Sequence, residues 1–245
     1  AVHVDHGLRV GSARESDVVR AIAEHLGADM RSVAVHVDHG PNLEARARRA
    51  RYAVLPADVM TGHTAADQAE TVLVNLLRGA GSAGLSGMRP GHRRPLLALR
   101  RADTVAVAEP IARAAGVSLV DDPSNQDTRH LRNRVRHDLL PRLDAAAQRD
   151  LTPVLVRQAD LLRDESDLLD QWAATLDPTD ARALATAPLP LARRAVRTWL
   201  TGDHPPDAAT VERVLAVARG EAAACDVGAG RSVRRSQQRL AIHTG

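Results

Sequence analysis

Apolar positions along the first eighty residues fall into a repeating order of short alternating runs and longer runs at helical spacing. Residues 1–5, Ala-Val-His-Val-Asp, read as a short strand that stops at His6-Gly7. Val18, Val19, Ile22, Ala23 and Leu26 then predict a helix over 15–27, with Gly27 as its stop. The valine-rich stretch Ser32 to Asp38 predicts a second strand, and 42–55 a second helix with Asn42 as N-cap and Glu44 in its first turn. Val59 to Thr61 reads as a third short strand entering His63, followed by a helix over 65–78 that ends at Gly79. Strand, helix, strand, helix in this rhythm indicates an α/β domain with a mostly parallel sheet flanked by helices.

From about Asp150 the rhythm changes. Leu151, Leu155, Leu161, Leu162, Leu168, Leu169, Trp172 and Leu176 are spaced for one long amphipathic helix over 151–176. Helical signals recur at 188–200 and 207–219, punctuated by Pro188, Pro190, Pro205 and Pro206. Residues 226–243 have glycines and then Arg-Leu-Ala-Ile, which predicts a short hairpin. The pattern therefore divides the chain into an α/β domain, 1–145, and a smaller, mainly helical domain, 146–245.

Two local features stand apart. Ala-Val-His-Val-Asp-His-Gly occurs at 1–7 and again at 34–40. A pair is not a repeat array; it reads as two equivalent strand ends in one sheet, or as an accident of how the chain was put together. The chain also opens directly on a buried-type strand, from which residues upstream of Ala1 are expected. The short step from Tyr52 to Val59 predicts a second shortening near Leu55-Pro56.

Composition narrows the classes. With 245 residues and 44% hydrophobic positions, a sizeable core is within reach. No stretch approaches the roughly 18 apolar residues of a membrane helix, and a cytoplasmic location is expected with no membrane partner. The single cysteine, Cys225, excludes an internal disulfide framework and any paired-cysteine metal site. All 33 basic residues are arginine, and the net charge is only +3. Nucleic-acid binding then depends on whether the arginines cluster.

They cluster twice. Arg46, Arg48, Arg49 and Arg51 precede Tyr52, with Arg48 and Arg51 three apart on one helix face and able to grip phosphates bidentately, although a solvated basic face would look the same. Asp122-Pro-Ser-Asn125 is a turn ending in capping residues. After it come Arg129, Arg132, Asn133, Arg134 and Arg136, dense enough to contact a phosphate backbone. Between these clusters lies Thr61-Gly62-His63-Thr-Ala-Ala66-Asp67-Gln68-Ala-Glu70-Thr71. Asp67 and Glu70 share a face near a helix N-terminus, beside a strand end where open α/β sheets bind ligands. Such acids either offset the helix dipole or hold a metal or a cationic amine. Gly79, Gly81, Gly84 and Gly87 then allow close backbone approach, but without the lysine of a Walker A loop.

In this order and spacing, the motifs resemble the tRNA(Ile)-lysidine synthetase family of the N-type ATP pyrophosphatase superfamily. The family pattern has His-x-x-Asp-Asp-Gln-Ala-Glu-Thr, Leu-Leu-Arg-Gly-x-Gly, Gly-Leu-x-Gly-Met, Arg-Pro-Leu-Leu, and Asp-Pro-Ser-Asn-x-Asp before an Arg-Asn-Arg-x-Arg helix. Val4-Asp5-His6-Gly7-Leu8-Arg9 is similar to its second strand and loop, and Glu44, Arg48, Arg51 and Tyr52 to its basic helix. The likeness covers 1–143.

The resemblance implies an N-type ATP pyrophosphatase fold and a ligase. ATP, with Mg²⁺, would activate C2 of the wobble cytidine of a tRNA(Ile) with a CAU anticodon, and free L-lysine would displace AMP. It implies that Asp67 and Glu70 hold the lysine and that Arg48 neutralises phosphate charge. Val4, Asp5 and His6 would line the adenine pocket, with Gly62, His63 and Gly79 completing the nucleotide-binding set. Arg129, Arg132, Asn133, Arg134 and Arg136 would contact tRNA, as would the helical domain. No metal ligand is assigned, and homodimer formation is left open. Two departures stand out: the family's Ser-Gly-Gly-x-Asp-Ser loop would lie upstream of Ala1, and Ala66 replaces the first acid of the family's pair. Without that loop, no ATP turnover is expected of these residues alone. Alternatives are a catalytically impaired tRNA-binding relative, a tRNA thiolase (disfavoured by the lone Cys225) and an arginine-rich structural protein.

Overall fold

The computed structural model describes residues 1–7, 13–37, 40, 43–119, 126–202 and 204–245. The chain divides into two compact units, Ala1–Ala159 and Asp160–Gly245.

The first unit opens with β1 (Val2–Asp5), α1 (Ala13–His25), β2 (Arg31–Ala34) and α2 (Leu43–Val54). β1 and β2 run parallel, with Val2 beside Arg31 and Asp5 beside Ala34. A right-handed crossover through a helix is the ordinary way to join such strands. This register corrects one expectation. Ala34, the first residue of the second heptapeptide copy, lies beside Asp5, the fifth of the first, so the two copies are not equivalent strand ends. The expected strand end Asp38, the N-cap Asn42, the Leu8-Arg9 loop and the turn Asp122–Asn125 lie outside the described residues, as does the side chain of Glu44.

A second correction concerns Val59–Thr61, which joins no ladder among the described residues. Its hydrogen bonds go elsewhere: Val59 N–H to the Pro56 carbonyl at 3.1 Å and Thr61 N–H to the Arg93 carbonyl at 2.9 Å. This stretch delivers the chain to α3 (Ala65–Leu77), whose inner face buries Ala65, Gln68, Ala69, Glu70, Val72, Leu73 and Val74. A short helix, α4 (Ser82–Leu85), and α5 (Arg101–Ala114) follow. Next comes a continuous helical stretch of three parts: α6 (Leu131–Arg134), a π-helical turn over Val135–Leu139, and α7 (Leu140–Ala147). Leu73 and Val74 of α3 pack with Val135, against which Leu131, Leu139, Leu140, Leu143 and Leu155 gather. This apolar seam fixes α3 against the 131–147 stretch and thereby positions the polar cluster described below.

Helix α8 (Thr152–Ala173) carries the chain into the second unit, where α9 (Ala181–Thr186), α10 (Leu189–Leu200) and α11 (Ala208–Arg219) follow. The Asp180 and Asp207 carboxylates cap α9 and α11, and Gly220 closes α11 in the left-handed conformation. The expected hairpin is a three-stranded antiparallel meander, β3 (Ala224–Gly228), β4 (Arg231–Ser236) and β5 (Arg239–Thr244). Its inner residues Val227, Val233 and Leu240 join Leu184, Val196, Leu200, Val211, Val214 and Leu215 in one core. Among the described residues, no helix is long and apolar enough to cross a membrane.

Candidate active site

The site begins where the backbone turns from Thr61 into α3. Thr64 is extended, and its N–H and hydroxyl donate to Asp67 Oδ2 at 2.8 and 3.0 Å. Asp67 thus closes the helix start as an N3 acid. Its other oxygen, Oδ1, accepts from Arg132 Nη2 at 2.9 Å and Arg136 Nη2 at 3.4 Å.

One turn on, Glu70 is 2% exposed. Arg132 donates through Nε to Glu70 Oε2 at 2.8 Å. Arg136 donates through Nε to Oε1 at 2.6 Å and through Nη2 to Oε2 at 3.0 Å. Four charged side chains therefore form a neutral, largely desolvated cluster, with Arg132 bridging the two acids. Burial alone would raise the Asp67 carboxyl. The Thr64 N–H, Arg132, the Thr64 hydroxyl and Arg136 together outweigh that and pull it below its ordinary value. The hydrogen bonds to Glu70 raise Arg136 further above its already high value.

His63 flanks this cluster, its Nδ1 2.7 Å from the Thr61 hydroxyl. Burial is the main reason its protonation is disfavoured; Asp67 opposes that, while Arg132, Arg48 and Arg94 reinforce it. The imidazole thus resists protonation beside three guanidinium groups and the Asp67 carboxylate. Arg48 lies over the Tyr52 ring, 5.0 Å from its centroid.

The remaining sequence-singled residues divide clearly. Val4, Asp5 and His6 end β1, where the Asp5 carboxylate accepts the Gly7 N–H at 2.9 Å. Arg51 of α2 reaches His6 Nε2 through Nε at 3.2 Å and Nη2 at 3.1 Å. Gly62 adjoins His63, but Gly79 lies beyond the far end of α3, roughly 20 Å away along a 13-residue helix. In the 129–136 run, Arg132 and Arg136 face the acids. Asn133 is buried and donates to the Asp127 carbonyl at 2.9 Å. Arg134 donates to the carbonyls of Thr128 and Arg129 at 2.8 and 2.9 Å. These two bonds fold the 127–130 turn so that Arg129, 88% exposed, projects outward while pairing with Asp127. That contact holds the Asp127 carboxyl down at about 2.

Gln68 and Asn75 carry roles that sequence reasoning did not assign. Gln68 is buried, accepts the Met88 N–H at 2.8 Å and donates to the Met88 carbonyl at 3.0 Å. Two turns later Asn75 donates to the Gly84 carbonyl at 2.7 Å. These two amides lash the glycine loop to α3. Gly87, at φ +63°, passes so close that a Cβ there would lie 2.8 Å from Gln68 Oε1. The signal was present in the seven-residue spacing of Gln68 and Asn75, which puts both on one face of the helix.

Residues 1–143 match the PP-loop domain and 180–241 the TilS substrate binding domain. The chain belongs to the tRNA(Ile)-lysidine synthase family. It is 42% identical over 215 residues to the tRNA(Ile)-lysidine synthase of Mycolicibacterium paratuberculosis, covering 82% of this chain and 66% of that one. With the Thermobifida fusca enzyme it shares 40% over 239 residues, covering 89% and 72%. With that of Mycobacterium tuberculosis strain H37Rv it shares 37% over 245 residues, covering 90% and 75%. The chain thus spans about two thirds to three quarters of these relatives' lengths. Within the lysidine synthase frame, the PP-loop match takes in the whole acid–arginine cluster. Ala66, where the family pattern carries an acid, occupies the half-buried second position of α3, next to the Thr64–Asp67 contact.

Proposed function

We propose that the protein ligates lysine to C2 of the wobble cytidine of a tRNA(Ile) with a CAU anticodon, consuming ATP and releasing AMP and pyrophosphate. The observation that carries this reading is the Asp67–Glu70–Arg132–Arg136 cluster, desolvated and placed at the start of α3 beside a neutral histidine.

In the first step the C2 carbonyl oxygen attacks the α-phosphate of ATP and pyrophosphate leaves. Arg48 is exposed and near His63, where it can offset the developing phosphate charge. Val4, Asp5 and His6 at the end of β1, with Gly62 just ahead of α3, supply the place at which an adenine nucleotide binds. Gly79, beyond α3, would serve ATP only through the loop that Gln68 and Asn75 hold. Mg²⁺ would supply charge neutralisation on the triphosphate; phosphate oxygens and water normally fill most of its sphere.

In the second step the bound ammonium first gives up one proton; the resulting amine attacks C2, the C2–O bond breaks as AMP leaves, and a second proton is lost from the nitrogen. Asp67 and Glu70 bind the ammonium by exchanging one guanidinium for it. Arg132 is the partner to exchange, because it is 30% exposed and makes one bond to each acid, whereas Arg136 holds Glu70 through two. His63, kept neutral, offers a proton acceptor nearby. Arg129 and Arg134 contact tRNA phosphates, and residues 146–245 add a helical tRNA-binding surface. The location is cytoplasmic.

The test is incubation of the complete protein with tRNA(Ile), labelled lysine, ATP and Mg²⁺. Label should enter the RNA, and Asp67→Ala should abolish it. Label incorporation by Asp67→Ala at the wild-type rate would refute the role given to Asp67; no incorporation by the wild type would refute the ligase reading.

A further inference from the structure

The segment between α2 and His63 walls a cavity of about 320 Å³ that the reaction described above leaves unused. Tyr52, Pro56, Val59, Thr61, Arg93 and Arg94 are among its lining residues, none of which is acidic. It combines one aromatic ring, an aliphatic floor and two guanidinium groups. Arg48, stacked on Tyr52, adds a third positive charge beside it.

Its two arginines differ. Arg93 is spent on the fold, donating through Nη2 to the Ala57 carbonyl. Arg94 donates through Nη1 to the Arg89 carbonyl at 3.0 Å and is a half-buried part of the cavity wall. A partly desolvated guanidinium is a strong partner for an anionic oxygen. The cavity also abuts the reacting cluster. Thr61 forms part of its wall, and its hydroxyl lies 2.7 Å from His63 Nδ1.

Size decides between ligands. Small-molecule sites run from about 300 to 1,000 Å³. This cavity stands at the lower end, with room for one base and its sugar rather than for a nucleoside triphosphate. A flat ring against Tyr52 and a phosphate oxygen on Arg94 are together the chemistry of a single nucleotide. Unpaired RNA bases are taken up in this way, splayed out and stacked on aromatic or guanidinium planes.

We propose that this cavity receives one unpaired nucleotide of the RNA substrate, its base set against Tyr52 and its phosphate on Arg94. The inference rests on the reading that the substrate is tRNA, and it adds the place where the wobble nucleotide leaves the anticodon stack.

The test uses the complete protein, a fluorescent tRNA(Ile) transcript and the same transcript with an abasic site at the wobble position, compared by anisotropy. The wild type should bind the abasic RNA about tenfold more weakly, the lower part of what one stacked base contributes. Tyr52→Leu should bind both RNAs equally, and Tyr52→Phe should discriminate as the wild type does. Arg94→Gln should weaken both and reduce the salt slope by about 0.7. Wild-type discrimination retained in Tyr52→Leu, or no discrimination in the wild type, overturns the proposal. So does a loss confined to Mg-ATP binding, measured by equilibrium dialysis with radiolabelled ATP, which would assign the cavity to the cosubstrate. Discrimination without lysine transfer would instead sink the ligase reading and leave the cavity's role standing.

Discussion

Arg136 grips Glu70 through two N–H groups, at 2.6 and 3.0 Å, across 66 positions of sequence. Glu70 is almost fully buried, and each arginine in the cluster is about a quarter to a third exposed. Truncating the acid would leave two guanidinium groups sharing the single carboxylate of Asp67. Removing one partner of a buried pair costs about 3–5 kcal/mol, and partial exposure of the arginines reduces that. Glu70→Ala should therefore lose about 2–4 kcal/mol in urea unfolding. A loss below about 0.5 kcal/mol, the ordinary range of a surface change, would mean that the cluster does not hold α3 to the 131–147 stretch.

The amide of Gln68 makes a similar claim on the glycine loop. Gln68→Leu keeps the volume but removes both bonds that the Gln68 amide makes to the Met88 N–H and carbonyl. Each unmade buried group costs about 1–3 kcal/mol. Gly87→Ala should destabilise as well, through its positive φ and the contact with Gln68. Hydrogen exchange at Met88 should accelerate in Gln68→Leu, and unchanged protection there would dismiss the clamp.

The neutral His63 gives stability a pH dependence of known sign. Its folded imidazole resists protonation, whereas the unfolded one takes up a proton near 6.5. Acidification through that value thus favours the unfolded state, and stability should fall as pH is lowered from 7 to 5. Asp67, also held below its ordinary value, adds a second loss below about pH 3.8. Urea midpoints of the wild type and His63→Asn at pH 7 and 5 test this, and the variant should show the shallower dependence. Equal slopes would remove His63 from the account.

Salt dependence separates the arginines of the 129–136 run. Arg129 projects into solvent, so Arg129→Gln should lower the tRNA-binding salt slope by about 0.7–0.9. Arg132→Gln should leave that slope nearly unchanged and alter the KM for lysine, because its guanidinium faces Asp67 and Glu70. If Arg132→Gln flattens the salt slope as much as Arg129→Gln, the arginine faces RNA in solution.

Helix α3 was legible in the sequence because its start, its acids and its glycine stop are all local signals. The partners of those acids were not. Charge density at 129–136 cannot tell an arginine that meets phosphate from one that meets a carboxylate more than 60 positions away, and packing of Leu73 and Val74 against Val135 makes that choice. Helix α5 gave no clear signal either. Its first turn follows Arg100, which is no side-chain cap, and Pro110 lies within it. The strand expected at 59–61 failed because Thr61 finds its acceptor on Arg93 rather than on a neighbouring strand.

The π-helical turn at Val135–Leu139 acts as a phase correction. Leu131, Val135, Leu139 and Leu143 are each four residues apart, and so are Arg132 and Arg136. In a regular α-helix, four residues overshoot a full turn by about 40°. A stripe with that spacing would wind steadily off the seam and carry the arginines away from the acids. One wider turn takes back the accumulated rotation, so the same stretch keeps leucines on Leu73 and Val74 and guanidinium groups on Asp67 and Glu70. Deleting a single residue from this turn would therefore act like a wrenched gear tooth, throwing everything after it onto the wrong face without changing any side chain's chemistry.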